Sequence, residues 1–173
     1  MAITASGSIE IAAPAAAVFA WLTERYKLAL IEPHAKSGRL VEIGPGPGTF
    51  ALAAREAGYD VTGIEMDARS CEHLRASIGV GAVQTDSPAA ALAELPRSNV
   101  IAMWHVLEHL RDPWACLDAA ARNLEPGGVL AVAVPNPGAF QFRSGYSASG
   151  RCWLPSPLAQ SSQKVGVRYP LSR

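Results

Sequence analysis

The sequence predicts a doubly wound α/β fold, a parallel sheet with helices on both faces. Three observations predict it. Five short β-type runs, "RLVEI", "DVTGIE", "GAVQTD", "NVIAMW" and "GVLAVAV", follow one another after Gly38. Helix-forming stretches separate them, and strand, helix, strand repeated at this spacing builds parallel βαβ units with right-handed crossovers. Hydrophobic residues make up 49% of the 173 residues and charged residues only 17%, the balance of a sheet buried on both faces. A chain of this length suits a single core.

The elements follow in order. From Pro14 to about Ile31 the residues are helix formers, Pro14 suits a first helical position, and Val18, Trp21, Leu22, Leu28 and Ile31 form an apolar stripe. Residues 1–37 therefore read as an N-terminal segment with a leading helix, and 38–137 as the core. Within the core, "TFALAAREAG" lies between Glu42 and Glu65, and "DARSCEHLRASI" between Glu65 and Gly79 with Asp67 as its N-cap. "DPWACLDAAARNLEPGG" precedes the last run, with Gly127 as its C-terminal stop. Residues 138–173 read as an irregular or disordered tail, because its end, "LPSPLAQSSQKVGVRYPLSR", has no apolar periodicity and is dense in Ser, Pro and Gln.

Composition narrows the partners. Fifteen Lys plus Arg balance fifteen Asp plus Glu, so neither a nucleic-acid groove nor an anionic membrane surface is implied, and a small molecule is the expected partner. Cys71, Cys116 and Cys152 are odd in number and lack C-x-x-C spacing, which argues for a reducing compartment. The apolar run "IAAPAAAVFAWL" follows Glu10, has no basic residue before it and contains Pro14. It is unlike a signal peptide and falls short of the ~20 residues that a membrane span needs. The expected location is cytoplasmic.

Sheets of this kind bind ligands beyond the carboxyl ends of their strands, near the point where the winding reverses. Four segments lie there: Glu42 to Gly48, Glu65 to Asp67, Asp86 to Ser87, and Trp104 to His109. Gly44, Gly46 and Gly48 form G-x-G-x-G, with Thr49 where a dinucleotide fingerprint has its third glycine, and no Gly-Lys-Ser/Thr follows to make a P-loop. A bare backbone lets a ligand come close, and the helix behind it offers free amides. Glu42 separates the candidate ligands, since an acid repels a diphosphate and attracts an ammonium or sulfonium. That chemistry points to S-adenosylmethionine. Glu65 ends the second run, where a carboxylate can accept from ribose hydroxyls, and Asp86 ends the third, in place to receive an adenine amine.

"VEIGPGPG", "GIEMD", "QTD", "WHVLEHLRDP" and "NLEPGGVLAVAVPNP" resemble the successive motifs of class I S-adenosylmethionine-dependent methyltransferases, especially the small-molecule branch with the ubiquinone-pathway O-methyltransferases. The resemblance covers about Arg39 to Pro137. It implies a Rossmann-like sheet in the order 3-2-1-4-5 and methyl transfer from S-adenosylmethionine to an oxygen or nitrogen of a small-molecule acceptor. It also implies that Glu42, Gly44, Gly46 and Gly48 contact the methionyl part, Glu65 and Met66 the ribose and adenine, and Asp86 and Ser87 the adenine edge, with Trp104 and His105 beside the cofactor.

Rival readings use the same residues. "HVLEH", His105 to His109, matches the H-x-x-E-H pattern of zinc peptidases, but it follows a strand directly instead of lying within a long helix. A nicotinamide-dependent oxidoreductase would also place an acid at Glu65. His109, with Glu108, is a candidate acid/base group because an attacking hydroxyl must lose its proton; a structural role for His109 is the alternative.

The resemblance breaks after Gly150 to Trp153, where the family continues with a helix and two more strands. The last two strands are expected to be missing, as in a truncated or frame-shifted product. "GVLAVAVP" then becomes an edge open to self-association. A non-catalytic S-adenosylmethionine-binding remnant is accordingly the second reading.

Overall fold

The computed structural model describes residues 24–135 and 164–165. Residues 24–31 form helix α1, which contains the Leu28 and Ile31 part of the expected leading helix; Pro14, Val18, Trp21 and Leu22 lie outside the described residues. The core follows as β1 (Gly38–Ile43), α2 (Thr49–Glu56), β2 (Tyr59–Glu65), α3 (Ala68–His73), β3 (Gly81–Gln84), α4 (Pro88–Glu94), β4 (Ser98–Trp104), α5 (Pro113–Asn123) and β5 (Leu124–Val134). A two-residue strand, β6 (Lys164–Val165), completes the sheet.

Strands β1 to β5 are parallel and stand in the expected order, β3-β2-β1-β4-β5, with β6 beyond β5. The sheet alternates its side chains between two cores. Leu40, Val100, Ala102 and Trp104 face one way, where Leu28 and Ile31 of α1, Phe50 and Ala54 of α2 and Leu74 after α3 cover them. Val41, Ile43, Ile101 and Met103 face the other way, against Leu92 of α4 and Cys116 and Ala120 of α5. Burial on both faces is why the central strand β4, from Val100 to Trp104, is continuously apolar. The Tyr59 hydroxyl donates to the Ala35 carbonyl and ties the segment after α1 to β2.

Two expectations need correction. Helix α5 stops at Asn123 and β5 starts at the next residue, so Gly127 is not the helix stop; it lies inside β5 at φ 83°. Pro126 has no amide to continue a helix, and the register jumps from Ser98↔Leu124 to Val100↔Val129, which leaves residues 125–128 as a bulge. The β5 edge is also not bare along its length: β6 pairs antiparallel with Ala133 and Val134. An extended segment there satisfies backbone groups that an edge leaves open. The remainder of the expected irregular tail lies outside the described residues.

Candidate functional site

The winding reverses between β1 and β4, and the four segments picked out by sequence gather at the carboxyl ends of β1, β2, β3 and β4. Glu42 lies one residue before the end of β1, on the α1/α2 face, and is only 3% exposed. Its Oε2 has no hydrogen-bond partner. Burial pushes its carboxyl up to about 8; Glu24 and Glu65 add to the rise, while Lys27 and the Ala51 amide oppose it. The acid at the glycine loop is thus largely protonated at neutral pH when alone, and a cation arriving beside it would draw the proton off.

The glycines differ in what they permit. Gly44 has φ 69°, and a Cβ there would sit 2.5 Å from Val106 Cγ2, so the loop and the segment after β4 can touch only because the side chain is absent. Gly46 has φ 51° and no atom within 4 Å of where its Cβ would stand. The backbone there adopts a left-handed turn beneath open space. Gly48 then caps α2.

Glu65 bridges the loops. Its Oε2 accepts from the Gly46 amide at 3.1 Å, and its Oε1 from the amides of Met66 at 2.8 Å and Asp67 at 3.0 Å. Of the roughly four lone-pair positions on a carboxylate, three are thereby engaged, and Glu65 fastens the glycine loop to the end of β2. Met66 is 70% exposed at this edge. Asp67 accepts from the Ser70 amide as the N-cap of α3, as its position in the sequence predicts. Asp86 and Ser87 are exposed between β3 and α4, and the Ser87 amide donates to Thr85 Oγ1 at 3.0 Å.

Trp104 ends β4 on the same face as Glu42. It is 8% exposed, meets Phe50 edge to face at 5.2 Å, and its Nε1 has no partner. His105 is the one non-glycine residue of positive φ among the described residues, at 57°, and its amide donates to Ala133 O at 2.8 Å. Glu108 Oε1 stands 3.9 Å from His105 Nδ1 and 4.0 Å from His109 Nε2. The two histidines occupy a strand end and the short 3-10 turn Leu107–His109, not one helix face. Among the described residues no group of three or more His, Cys, Asp or Glu is arranged to hold a metal.

Sequence reasoning did not single out Glu24, Lys27 and Phe50. Lys27 Nζ on α1 lies 2.9 Å from both Glu24 oxygens, 5.3 Å from the Trp104 ring centre and 5.9 Å from that of Phe50. Glu24 is 7% exposed, unusual for an acid. The signal was an acid four residues before Leu28, on the apolar side of its helix.

The groups present suit an adenosyl amino acid: an unpartnered buried carboxyl oxygen for a cation, open space over Gly46, and acids at the ends of β2 and β3. Comparison with known proteins agrees. A family profile described as "Methyltransferase domain" matches residues 18–161. A ubiquinone biosynthesis O-methyltransferase of Pectobacterium carotovorum is 30% identical over 95 residues, covering 52% of this chain and 40% of that protein. The same-named protein of Idiomarina loihiensis is 28% identical over 149 residues, covering 80% of this chain and 61% of its own length. The chain therefore spans only part of the relatives that it matches. A crystal structure described as an S-adenosylmethionine-dependent methyltransferase, possible histamine N-methyltransferase, from Thermotoga maritima aligns with TM-score 0.57 at 28% identity, covering 74% of this chain and 57% of that one. No helix among the described residues is long and apolar enough to cross a membrane.

Proposed function

The chain belongs to the methyltransferase domain family, and from that premise we propose that it uses S-adenosylmethionine to methylate an oxygen or nitrogen of a small-molecule acceptor. The observation that carries the reading is the buried Glu42 carboxyl, whose Oε2 has no partner, beside a glycine loop whose Gly46 faces open space. When bound, the cofactor supplies a methyl group already activated by its sulfonium.

The residues divide the work. Glu42 with Gly44, Gly46 and Gly48 holds the methionyl end, the carboxyl meeting the ammonium and the loop admitting the chain of atoms close to its backbone. Glu65 and Met66 take the ribose and adenine, Asp86 and Ser87 the adenine edge, and Trp104 and His105 flank the cofactor at β4. Holding the acceptor in line in a dry pocket provides much of the rate. We assign proton removal from the acceptor to His109, supported by the neighbouring Glu108 carboxylate. The same reading includes self-association along the part of β5 that β6 does not pair.

The test is a calorimetric titration with S-adenosylhomocysteine, with NADH as control. Saturable binding of the first alone is expected. Glu65→Ala should weaken it by roughly tenfold or more, since a charge-assisted hydrogen-bond set is worth a few kcal/mol. His109→Ala should leave binding unchanged and slow turnover. NADH binding, or unchanged affinity in Glu65→Ala, overturns the site assignment.

A further inference from the structure

Away from the cofactor site, helices α4 and α5 lie side by side and leave a groove of about 490 Å³ between them. A space of that size suits a small organic ligand. Its two ends differ in chemistry. Ala89 and Ala115 stand in the first turns of the two helices, and Ala93 and Ala119 one turn further on, so this stretch of the groove is apolar. Arg97, Arg122 and Asn123 line the other end, and no carboxylate lines the groove among the described residues.

Asn123 makes the polar end more than a gap between helices. Its Nδ2 donates to the carbonyls of Leu92, Leu95 and Pro96 at 2.9, 3.0 and 3.3 Å, so turning the amide over would set oxygen against oxygen. The orientation is thereby fixed, and Oδ1 of this 6% exposed residue is left an acceptor with no donor. Arg97 Nη1 donates to the Leu124 carbonyl at 3.0 Å, and Arg122 Nη2 to Asp118 at 2.8 Å. Each guanidinium has further N–H groups to offer, and the Asp118 pair is exposed and therefore weakly held. The carboxyl end of a helix disfavours an anion; here Asn123 and Arg97 already cover carbonyls at that end, which offsets part of the effect.

We propose that the α4–α5 groove binds a small aliphatic 2-hydroxy acid, its carboxylate on Arg97 and Arg122, its hydroxyl donating to Asn123 Oδ1 and its hydrocarbon tail running over Ala93 and Ala119 towards Ala89 and Ala115. A carboxylate matches the fork of a guanidinium. The donor is a neutral hydroxyl because an ammonium beside two guanidiniums would be repelled. The polar end adjoins Leu124, which pairs with Ser98 at the amino end of β4, whereas the candidate cofactor residues gather at the carboxyl ends of the strands. The two sites are therefore separate.

The test is a calorimetric titration of the full chain with 2-hydroxyoctanoate, octanoate and 1-octanol, each with and without saturating S-adenosylhomocysteine. One-to-one binding of 2-hydroxyoctanoate is expected, unchanged by S-adenosylhomocysteine. Octanoate should bind roughly fivefold more weakly, for the loss of one hydrogen bond, and 1-octanol should not bind. Arg122→Gln should weaken 2-hydroxyoctanoate by roughly tenfold. Ala93→Phe, which fills the groove, should abolish its binding, and both variants should retain wild-type circular dichroism and S-adenosylhomocysteine affinity. Absence of saturable binding overturns the proposal, as does competition with S-adenosylhomocysteine or an affinity that neither substitution moves, since each places the acid elsewhere. Equal affinity for octanoate overturns the part given to Asn123. Should Ala93→Phe fail to fold, Arg122→Gln and the competition decide; should the chain bind no S-adenosylhomocysteine, the cofactor reading fails and the titrations without it still decide this site.

Discussion

At the scale of single residues, Glu42 links folding to pH. Its carboxyl is raised from 4.5 to about 8, chiefly by burial. The folded state thus holds a proton that the unfolded state gives up above its ordinary value. The sign follows: between about 4.5 and about 8 the folded chain binds more protons, so this residue's contribution to stability is present at low pH, falls as pH rises, and levels off above the folded value. The loss is on the order of a few kcal/mol. Glu42→Gln should therefore raise the melting temperature of the ligand-free protein at pH 8 and remove its decline across this window. The same substitution should weaken S-adenosylhomocysteine and remove the share of proton release on binding that comes from Glu42, which calorimetry in buffers of different ionisation enthalpy measures. A wild-type melting temperature that climbs steadily from pH 5 to pH 8, with Glu42→Gln following it in parallel, contradicts this account.

At the scale of elements, Asn123 joins α5 to α4. It is 6% exposed, and its Nδ2 donates to the carbonyls of Leu92 at 2.9 Å, Leu95 at 3.0 Å and Pro96 at 3.3 Å, which a helix end leaves without intrahelical partners. Asn123→Ala should cost ~1–3 kcal/mol in urea unfolding, the usual penalty for stranding buried polar groups. Because Leu124 pairs with Ser98 at the amino end of β4, opposite the site, S-adenosylhomocysteine affinity should not change; a coupled loss of affinity would show that the two ends of the sheet communicate. The elements also show what the sequence could reveal. Strands β1, β2 and β4 were legible because burial keeps most of their positions apolar, and Glu42 stands one residue before the end of β1 and Glu65 at the end of β2. Helix α4, "PAAALAE", was less legible, since alanines give it no distinct apolar face, although Pro88 marks its first turn. Strand β6 has two residues, too few for any periodicity. Lys27 was missed for a different reason: a Glu and a Lys three apart on a helix ordinarily form a solvated pair worth little, and only packing against Trp104 and Phe50 distinguishes this one.

At the scale of the whole molecule, the sheet places its binding edge and its exposed edge at different places, and this determines how association and binding relate. The candidate site lies at the strand carboxyl ends around β1 and β4. The outer strand β5 runs from Leu124 to Val134, and among the described residues β6 pairs only with Ala133 and Val134. Residues 124–132 therefore present backbone donors and acceptors with no strand on the side away from β4 among the described residues, the feature that invites a second copy to add by edge pairing. The bulge at residues 125–128 twists the start of this strand and leaves the straighter stretch from Val129 as the pairing segment. Sedimentation velocity over a hundredfold range of concentration should accordingly show a monomer giving way to a dimer. Placing a charge at Val129, as Val129→Lys, should move that transition to higher concentration, because charged edges resist pairing. Since this edge is separated from the site by β4, S-adenosylhomocysteine affinity should be independent of protein concentration. A monodisperse monomer throughout the range would show that the β5 edge is closed in solution, and affinity that tracks dimer formation would show instead that a second chain completes the site.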